Sequence, residues 1–445
     1  MIKIAKGTLI IVCLLTLSGI NIKAQERPKY SLQQCLNFAI NNSYAAHKAN
    51  LDIREAEHQT HEAQSSMLPQ INASGSYDNS IVIPTMIPPG EIIGQSGTQI
   101  PVQMGTKNVL DLSATTEQVI FAPSLFAGIK IAKNNRELQK LRATMTKEEI
   151  IFDVSYAFYD ILNSMQELDH INYMIIKQDS LYLLTKRRVE ESITREVDLN
   201  RVKVNLTNLR ARGENIKNTI SQQKRYLQIL IGMPVGNRLE LDSSETENFL
   251  LIGSPLQNKV ELEILNKQKD ILGLEIHRHK MGYLPSLSAV ASAGYQFQSN
   301  NMNLVKEPWF SSAIIGVRLS IPLFDGLSKH SQVKQKQAQL QRLNWDITEA
   351  QQNISMNYQN AKDQLQVVYS LVQAQSENLQ LAEKVYAQTI ALYSEGLANI
   401  TDLLEAETSL RESKIAYATE LTRYKKTEID LLKASGTLKD LLINN

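Results

Sequence analysis

The chain has 445 residues, with 47 lysines and arginines against 46 aspartates and glutamates, and 43% of it is hydrophobic. That balance carries no basic bias toward nucleic acid, and two cysteines cannot build a disulfide-rich scaffold. Beyond the first residues no segment approaches the ~18 consecutive apolar residues of a spanning helix, so any passage through a membrane would fall to strands.

At the N-terminus, Lys3 and Lys6 precede an apolar core from Leu9 to Leu17, and Ile22-Lys23-Ala24 ends on a small residue. This reads as a secretory signal over residues 1–24, cleaved before Gln25 and too short for a membrane anchor. Without it the count becomes 44 basic and 46 acidic residues, a net charge of −2. Cys13 lies inside the signal with no small residue before it, which argues against lipoprotein processing. Cys35 is then alone and has no internal disulfide partner.

From Leu68-Pro69 onward the chain is duplicated, and a duplication fixes architecture before any other feature does. The first copy is read over 25–235 and the second over 236–445. Leu68-Pro69 recurs as Leu284-Pro285, and Gln118-Val119-Ile120-Phe121 as Ile321-Pro322-Leu323-Phe324. Glu191 to Leu199 recurs as Glu395 to Leu403. Phe121 to Asp198 spans 77 positions and Phe324 to Asp402 spans 78, while Asp198 to Gly232 and Asp402 to Gly436 both span 34. Pro69 to Phe121 is 52 positions against 39 for Pro285 to Phe324, so the first copy carries 13 extra residues between its strand-like stretches. These fall in 78–108, a segment rich in Gly and Pro that includes Pro88-Pro89-Gly90 and reads as a loop at the outer mouth.

Those stretches alternate with the period of a strand. Ile71, Ala73, Gly75 and Tyr77 oppose Gln70, Asn72, Ser74 and Ser76, and Leu110, Leu112 and Ala114 oppose Asp111, Ser113 and Thr115. Ala289, Ala291, Ala293, Tyr295 and Phe297 oppose Ser288, Ser292, Gln296 and Gln298. Ile315, Val317, Leu319, Ile321 and Leu323 continue the apolar set. Each copy is therefore one long hairpin with an apolar face suited to lipid. Four strands are too few to close a barrel, and an open edge in lipid would leave backbone groups unsatisfied, so closure requires further copies. A soluble sheet packed on helices fits the alternation equally well.

The remaining stretches have coiled-coil spacing. Ile151, Val154, Phe158, Ile161, Met165 and Leu168 step by three and four. So do Leu199, Val202, Leu206, Leu209, Gly213, Ile216, Ile220, Gln223, Leu227 and Leu230. In the second copy Leu403, Leu410, Tyr417, Tyr424 and Leu431 fall seven apart. Between the strands and the turns no proline interrupts the pattern, so helices of about 95–100 Å are expected over 127–190 and 328–393. Each turns near 192–196 or 395–399 and returns as a shorter helix. A soluble rod or scaffold shares this pattern.

Candidate chemistry is sparse. His58 and His61 are spaced i,i+3 but lack a third ligand, and His277 and His279 point apart. There is no Gly-rich phosphate loop and no supported nucleophile motif, so neither an enzyme, a metal nor a cofactor is expected.

The signal, the duplication, the strand pairs opening on Leu-Pro, the long helical hairpins and the Gly396-Leu397 turn followed by Asp402 together resemble the TolC family of outer-membrane efflux proteins. Ser31-Leu32-Gln33-Gln34-Cys35-Leu36 leading to Asn41-Asn42-Ser43 is similar to the family's opening, with Cys35 where Ala is usual. Ile321-Pro322-Leu323-Phe324-Asp325-Gly326 is the more specific match. The resemblance implies a mainly α fold with β: long coiled-coil helical hairpins plus four membrane strands per protomer. It implies a homotrimer whose twelve-stranded β-barrel sits in outer-membrane lipid and continues as a helical periplasmic tunnel. A mixed equatorial region would come partly from 233–260 and the C-terminus. The implied function is the outer-membrane channel of a tripartite efflux or type I secretion system, docked to a periplasmic adaptor and an inner-membrane transporter. The alternative is a coiled-coil scaffold without a conduit.

At the tunnel tip, Asp402 and Glu405 match the two acids of the family's innermost constriction, Tyr393 an aromatic of its gate network, and Asp198 the acid of the first turn. Ser192, Ile193, Gly396 and Leu397 match the adaptor-contacting tips, with Ser192 replacing a Gly. Ala398 stands where some members carry a gate Arg, which implies that the latch is either absent or rebuilt, with Arg195 as the candidate. Independently of the family, i,i+3 spacing puts Asp402 and Glu405 on one helix face, where solvation alone is the other reading.

Overall fold

The computed structural model describes residues 29–87, 89, 101–242 and 259–442. The expected signal segment, Pro88, 90–100 and 243–258 lie outside the described residues, and so does most of the 233–260 segment expected in the equatorial region.

Two short helices open the fold. In α1 (Leu32–Asn42) Ser31 and Gln34 form a reciprocal capping box, and Ser43 caps α2 (Tyr44–Ser65). The hairpin β1 (Gln70–Asn79) and β4 (Asn108–Phe121) follows, with a small ladder of β2 (Thr85–Met86) and β3 (Val102–Gln103) in its connection. Next come α3 (Pro123–Glu190) and α4 (Glu196–Ile231). The second copy repeats this order as α5 (Val260–Met281), β5 (Ser286–Ser299), β6 (Trp309–Ser320), α6 (Ser328–Ser394) and α7 (Ile400–Ser435), closed by a 3₁₀ turn at Leu438–Leu442. The duplication therefore extends upstream of Leu68 and Leu284: α2 and α5, both of 22 residues, are counterparts.

At 1.5 Å per residue, α3 with 68 residues and α6 with 67 are each about 100 Å long. Pro123 at the first turn starts α3, where its missing N–H costs nothing. The IPLFDG motif starts α6 differently. Gly326 and Leu327 both take left-handed backbone, at φ 64° and 65°, and the Asp325 carboxylate accepts from the Lys329 backbone N–H at 3.1 Å and its Nζ at 3.0 Å. Ile321 and Leu323, expected to prolong the apolar strand face, lie beyond β6, which ends at Ser320 just before Pro322.

Along the rods the short helices pack on the long ones through the expected seams. Ile151, Val154, Phe158 and Ile161 of α3 are buried, and so are Val202, Leu206, Leu209, Gly213, Ile216, Ile220 and Leu227 of α4. Leu199, Gln223 and Leu230 of the same series are half-buried. Midway along, α1, the end of α4 and the 3₁₀ turn gather a core of Leu32, Leu36, Leu227, Ile231, Leu438 and Leu441. There Tyr30 bridges Leu241 as a parallel pair. Among the described residues no helix is long and apolar enough to cross a membrane.

The four long strands form one antiparallel sheet in the order β1-β4-β5-β6, so β4 and β5 join the two copies. Register decides which side chains share a face. Ile71 sits opposite Thr116, Thr116 opposite Ala291, and Ala291 opposite Ile315. The same alignment sets Tyr77, Leu110, Phe297 and Trp309 in one row, and Asn72, Thr115, Ser292 and Ile314 in a row on the other face. The apolar sets of all four strands thus fall on one face of the sheet, a result that a one-residue slip would destroy. β1 and β6 are the sheet's edges, and both are exposed along nearly their whole length.

Candidate functional site at the helical tips

The far ends of α3, α4, α6 and α7 meet in one bundle, and its two turns share one backbone solution. After α3, Ser192 has φ 59°, and Ile193 donates its N–H to the Arg188 carbonyl at 2.8 Å. After α6, Gly396 has φ 78°, and Leu397 donates to the Leu392 carbonyl at 2.9 Å. Both helices end in the left-handed motif that glycine favours, so Ser192 follows the glycine path at some steric cost. Beyond the turns Ile193 is 67% exposed and Leu397 73%.

The second copy's return helix is set by a capping box. Asn399 accepts from the Asp402 N–H at 2.9 Å, and the Asp402 carboxylate accepts from the Asn399 N–H at 3.2 Å. Asp402 and Glu405 are both exposed. Asp198 occupies the matching position of α4 but is only 6% exposed. It accepts from the Thr194 hydroxyl at 3.2 Å and lies 3.6 Å from Arg195 and 3.7 Å from Arg201. Two acids at equivalent places of the duplication therefore face opposite ways.

Tyr393 is buried with Val202, Ile400 and Leu403 in a small apolar cluster beneath the turns. Arg188 stacks on it, its guanidinium carbon 5.0 Å from the ring centroid, and donates to the Ser394 carbonyl at 3.2 Å. Arg201 donates to the Thr401 hydroxyl at 3.0 Å. These two arginines, one from α3 and one from α4, tie the first hairpin to the second. Arg195, expected to rebuild the latch, does not cross: its side chain is 83% exposed and meets only Asp198 of its own hairpin.

One to two turns further down the bundle lies a polar layer that periodicity alone did not flag. Glu407 of α7 is 1% exposed. With its amide nitrogen turned to the carboxylate, Gln178 of α3 donates to the two Glu407 oxygens at 2.7 and 3.2 Å and accepts from Asn205 of α4 at 3.2 Å. The Glu407 charge also acts on Tyr386 of α6, whose hydroxyl is pushed up to about 12, chiefly by burial. Burial raises the Glu407 carboxyl to about 7, against the pull of Arg411 one turn along. The signal was legible as an acid between Leu403 and Leu410, at a position whose neighbours are apolar. The layer separates the tip cluster of Tyr393, Ile400 and Leu403 from the long core containing Ile171, Met174, Leu209 and Leu410.

Among the described residues no group of three or more His, Cys, Asp or Glu could hold a metal ion. The tip presents instead an acidic exposed face, two arginines that tie the hairpins together and a buried acid.

The family model described as outer membrane efflux protein matches residues 275–437. Outer membrane protein TolC of Escherichia coli (strain K12) is 22% identical, with 97% of this chain and 87% of that protein covered. Among solved structures, the outer membrane protein VceC of Vibrio cholerae superimposes with a TM-score of 0.72 at 15% identity, covering 91% of this chain and 96% of the other. The CmeC outer membrane channel of Campylobacter jejuni does so with a TM-score of 0.73 at 14% identity, covering 91% and 85%.

Proposed function

This chain belongs to the TolC family of outer membrane efflux proteins, and from that premise we propose that three copies close their open sheets into one twelve-stranded barrel that passes substrates across the outer membrane. The observation that carries this reading is the sheet: its apolar residues share one face while its two edges stay open. In lipid, open edges leave backbone groups without partners at several kcal/mol each, whereas β6 of one copy pairing with β1 of the next satisfies them. The apolar face then meets lipid, and the polar face lines a hydrated lumen.

The dimensions agree. From Leu287 to Phe297 the strand advances ten residues, about 34 Å at ~3.4 Å each, which is ~26 Å of height at the ~40° tilt usual in such barrels. Aromatic residues flank that band. Tyr77, Phe297 and Trp309 stand at one rim, and Tyr283, Phe121 and Phe324 at the other. The Thr85–Met86 and Val102–Gln103 ladder, in the connection from β1 to β4, would lie at the outer mouth.

Below the barrel the helices extend about 100 Å into the periplasm. Exposed apolar residues on α6, among them Trp345, Met356, Val367 and Leu381, supply the seam to a neighbouring copy. Ser192, Ile193, Gly396 and Leu397 would meet a periplasmic adaptor joined to an inner-membrane transporter. Asp402 and Glu405, repeated three times around the axis, would form the gate, with Tyr393 and Asp198 buttressing it from within. Six carboxylates at one narrow ring attract cations.

Single-channel recording in planar bilayers tests the reading. The assembled protein should conduct, prefer cations and be blocked by multivalent cations from the periplasmic side. The double substitution D402N and E405Q should relieve both preference and block. It is a clean probe because the amide oxygen introduced at position 402 can still accept from the Asn399 N–H. Absence of conductance would favour a scaffold, and unchanged selectivity in the double variant would make these acids a solvated helix face.

A further inference from the structure

We propose that Glu407, Gln178, Asn205 and Tyr386 form a proton-operated hinge across the four-helix tip: protonated, the layer is dry and holds the two hairpins together, and ionised, it takes up water and lets them part.

Each of the four helices contributes one polar side chain to this layer, at a level where the seams above and below are apolar. Glu407 is 1% exposed, as is Gln178, so neither oxygen of the carboxylate reaches solvent while the layer is closed. Two N–H donations from one side-chain amide serve only part of a carboxylate's acceptor capacity, and when the carboxyl takes up a proton the Gln178 amide can turn over so that its carbonyl oxygen accepts the new O–H. A buried charge that a cation reaches only through space, without a hydrogen bond, is an arrangement that a bundle relieves by admitting water or by neutralising the group.

Arg411 is the cation that pulls on Glu407, and the other cations around the layer have partners of their own. Arg411 of α7 acts on Glu407 through space, yet its Nε is buried without a hydrogen-bond partner. On α4, Arg210 bonds Asp179 at 2.8 Å, and Arg201 serves Thr401 and Asp198. Lys414 of α7 pairs with Glu383 of α6 at 3.4 Å and, together with Lys177 of α3, lies 5.4 Å from the Tyr173 ring centroid. The other titratable group facing this stretch from α3 is His170, which burial and Lys414 push below the usual imidazole value against the pull of Asp169.

The sign follows from linkage. In the closed tip the carboxyl is raised from 4.5 to about 7, whereas in a parted, hydrated tip it returns toward 4.5. Closure is then fully favoured below 4.5, and its advantage is lost as pH rises through about 7. Acidification should tighten the tip and mild alkalinity should loosen it.

The test is amide hydrogen exchange on the full-length mature protein in detergent, with protection factors corrected for intrinsic rates and read over 178–210 and 386–410. In the wild type, protection of these segments should fall by up to about tenfold per pH unit between pH 5 and pH 7 and level off above. E407Q mimics the protonated side chain and should hold the acidic level of protection throughout. H170Q should leave the wild-type profile in place. A flat profile in the wild type, or a pH dependence that survives in E407Q, would overturn the hinge. A carboxyl C=O infrared band present at pH 6 and absent in E407Q would support it independently of any change in stability, and absence of that band in the wild type would overturn it. The consequence for transport rests on the conduit reading, but exchange is measured without conduction, so either idea can fail alone.

Discussion

Arg188 reaches across the tip from the first hairpin to lie over the ring of Tyr393 in the second, 5.0 Å from guanidinium carbon to ring centroid. A planar guanidinium can stack on a ring and still donate in its own plane, here to the Ser394 carbonyl at 3.2 Å. Removing it in R188A should weaken the junction by about 1–2 kcal/mol, a cation–π contact and a charged hydrogen bond together. Exchange protection over 386–400 should fall roughly tenfold. R188K should recover only part of this, because an ammonium cannot stack and fork at once.

Two glycines with the same backbone conformation should respond very differently to alanine. Gly232 and Gly396 both have φ +78°, but a Cβ at Gly232 would meet the Asn42 carbonyl oxygen at 2.0 Å, whereas at Gly396 it meets nothing within 4 Å. G396A should cost about 1 kcal/mol of local strain and assemble normally. G232A must displace backbone at the junction of α1 and α2, so it should lose about 3 kcal/mol or more and yield little assembled protein. The yield of folded protein after purification compares the two.

Ser192 follows a path that glycine takes in the second copy. S192G should relieve strain and stabilise the first tip by about 0.5 kcal/mol, partly offset by the entropy of a freer unfolded chain. The readout is exchange protection at 188–195, which should rise without change at 392–399.

The two faces of the sheet should tolerate charge unequally. Ile315 lies on the apolar face and Ser312 on the polar one. I315R should cost about 2–4 kcal/mol near the bilayer midplane and reduce outer-membrane assembly, and S312R should cost much less. Equal tolerance would invert the proposed facing.

Near the C-terminal end of α7, Lys425 and Glu428 are both buried, their charged groups 3.1 Å apart. Burial still raises the Glu428 carboxyl, with Lys425 pulling it back. K425M leaves that acid unpaired in the core and should cost about 3–5 kcal/mol, whereas K425M combined with E428Q should recover much of the loss. Thermal denaturation of the two variants measures the difference.

Much of this architecture was legible because its signals are local. The rise of a helix and the alternation of a strand depend on residues within a few positions of one another. The spacing therefore placed α3 and α6 within a few residues of their observed ends, and the repeated Leu-Pro motif with the matched intervals set the duplication. What neighbours across the bundle decide was not legible. Asp198 and Asp402 hold equivalent places in the two copies, yet Arg201 and the packed first turn draw Asp198 inside while Asp402 stays outside in its capping box. The contacts between the hairpins come from Arg188 and Arg201, not from Arg195, because a side chain's reach across to another hairpin depends on helix rotation, which spacing along one stretch of sequence does not contain. Glu407 was visible only as an acid in an apolar seam. Its burial against Gln178 arises when four helices meet, and that meeting shifts its proton affinity.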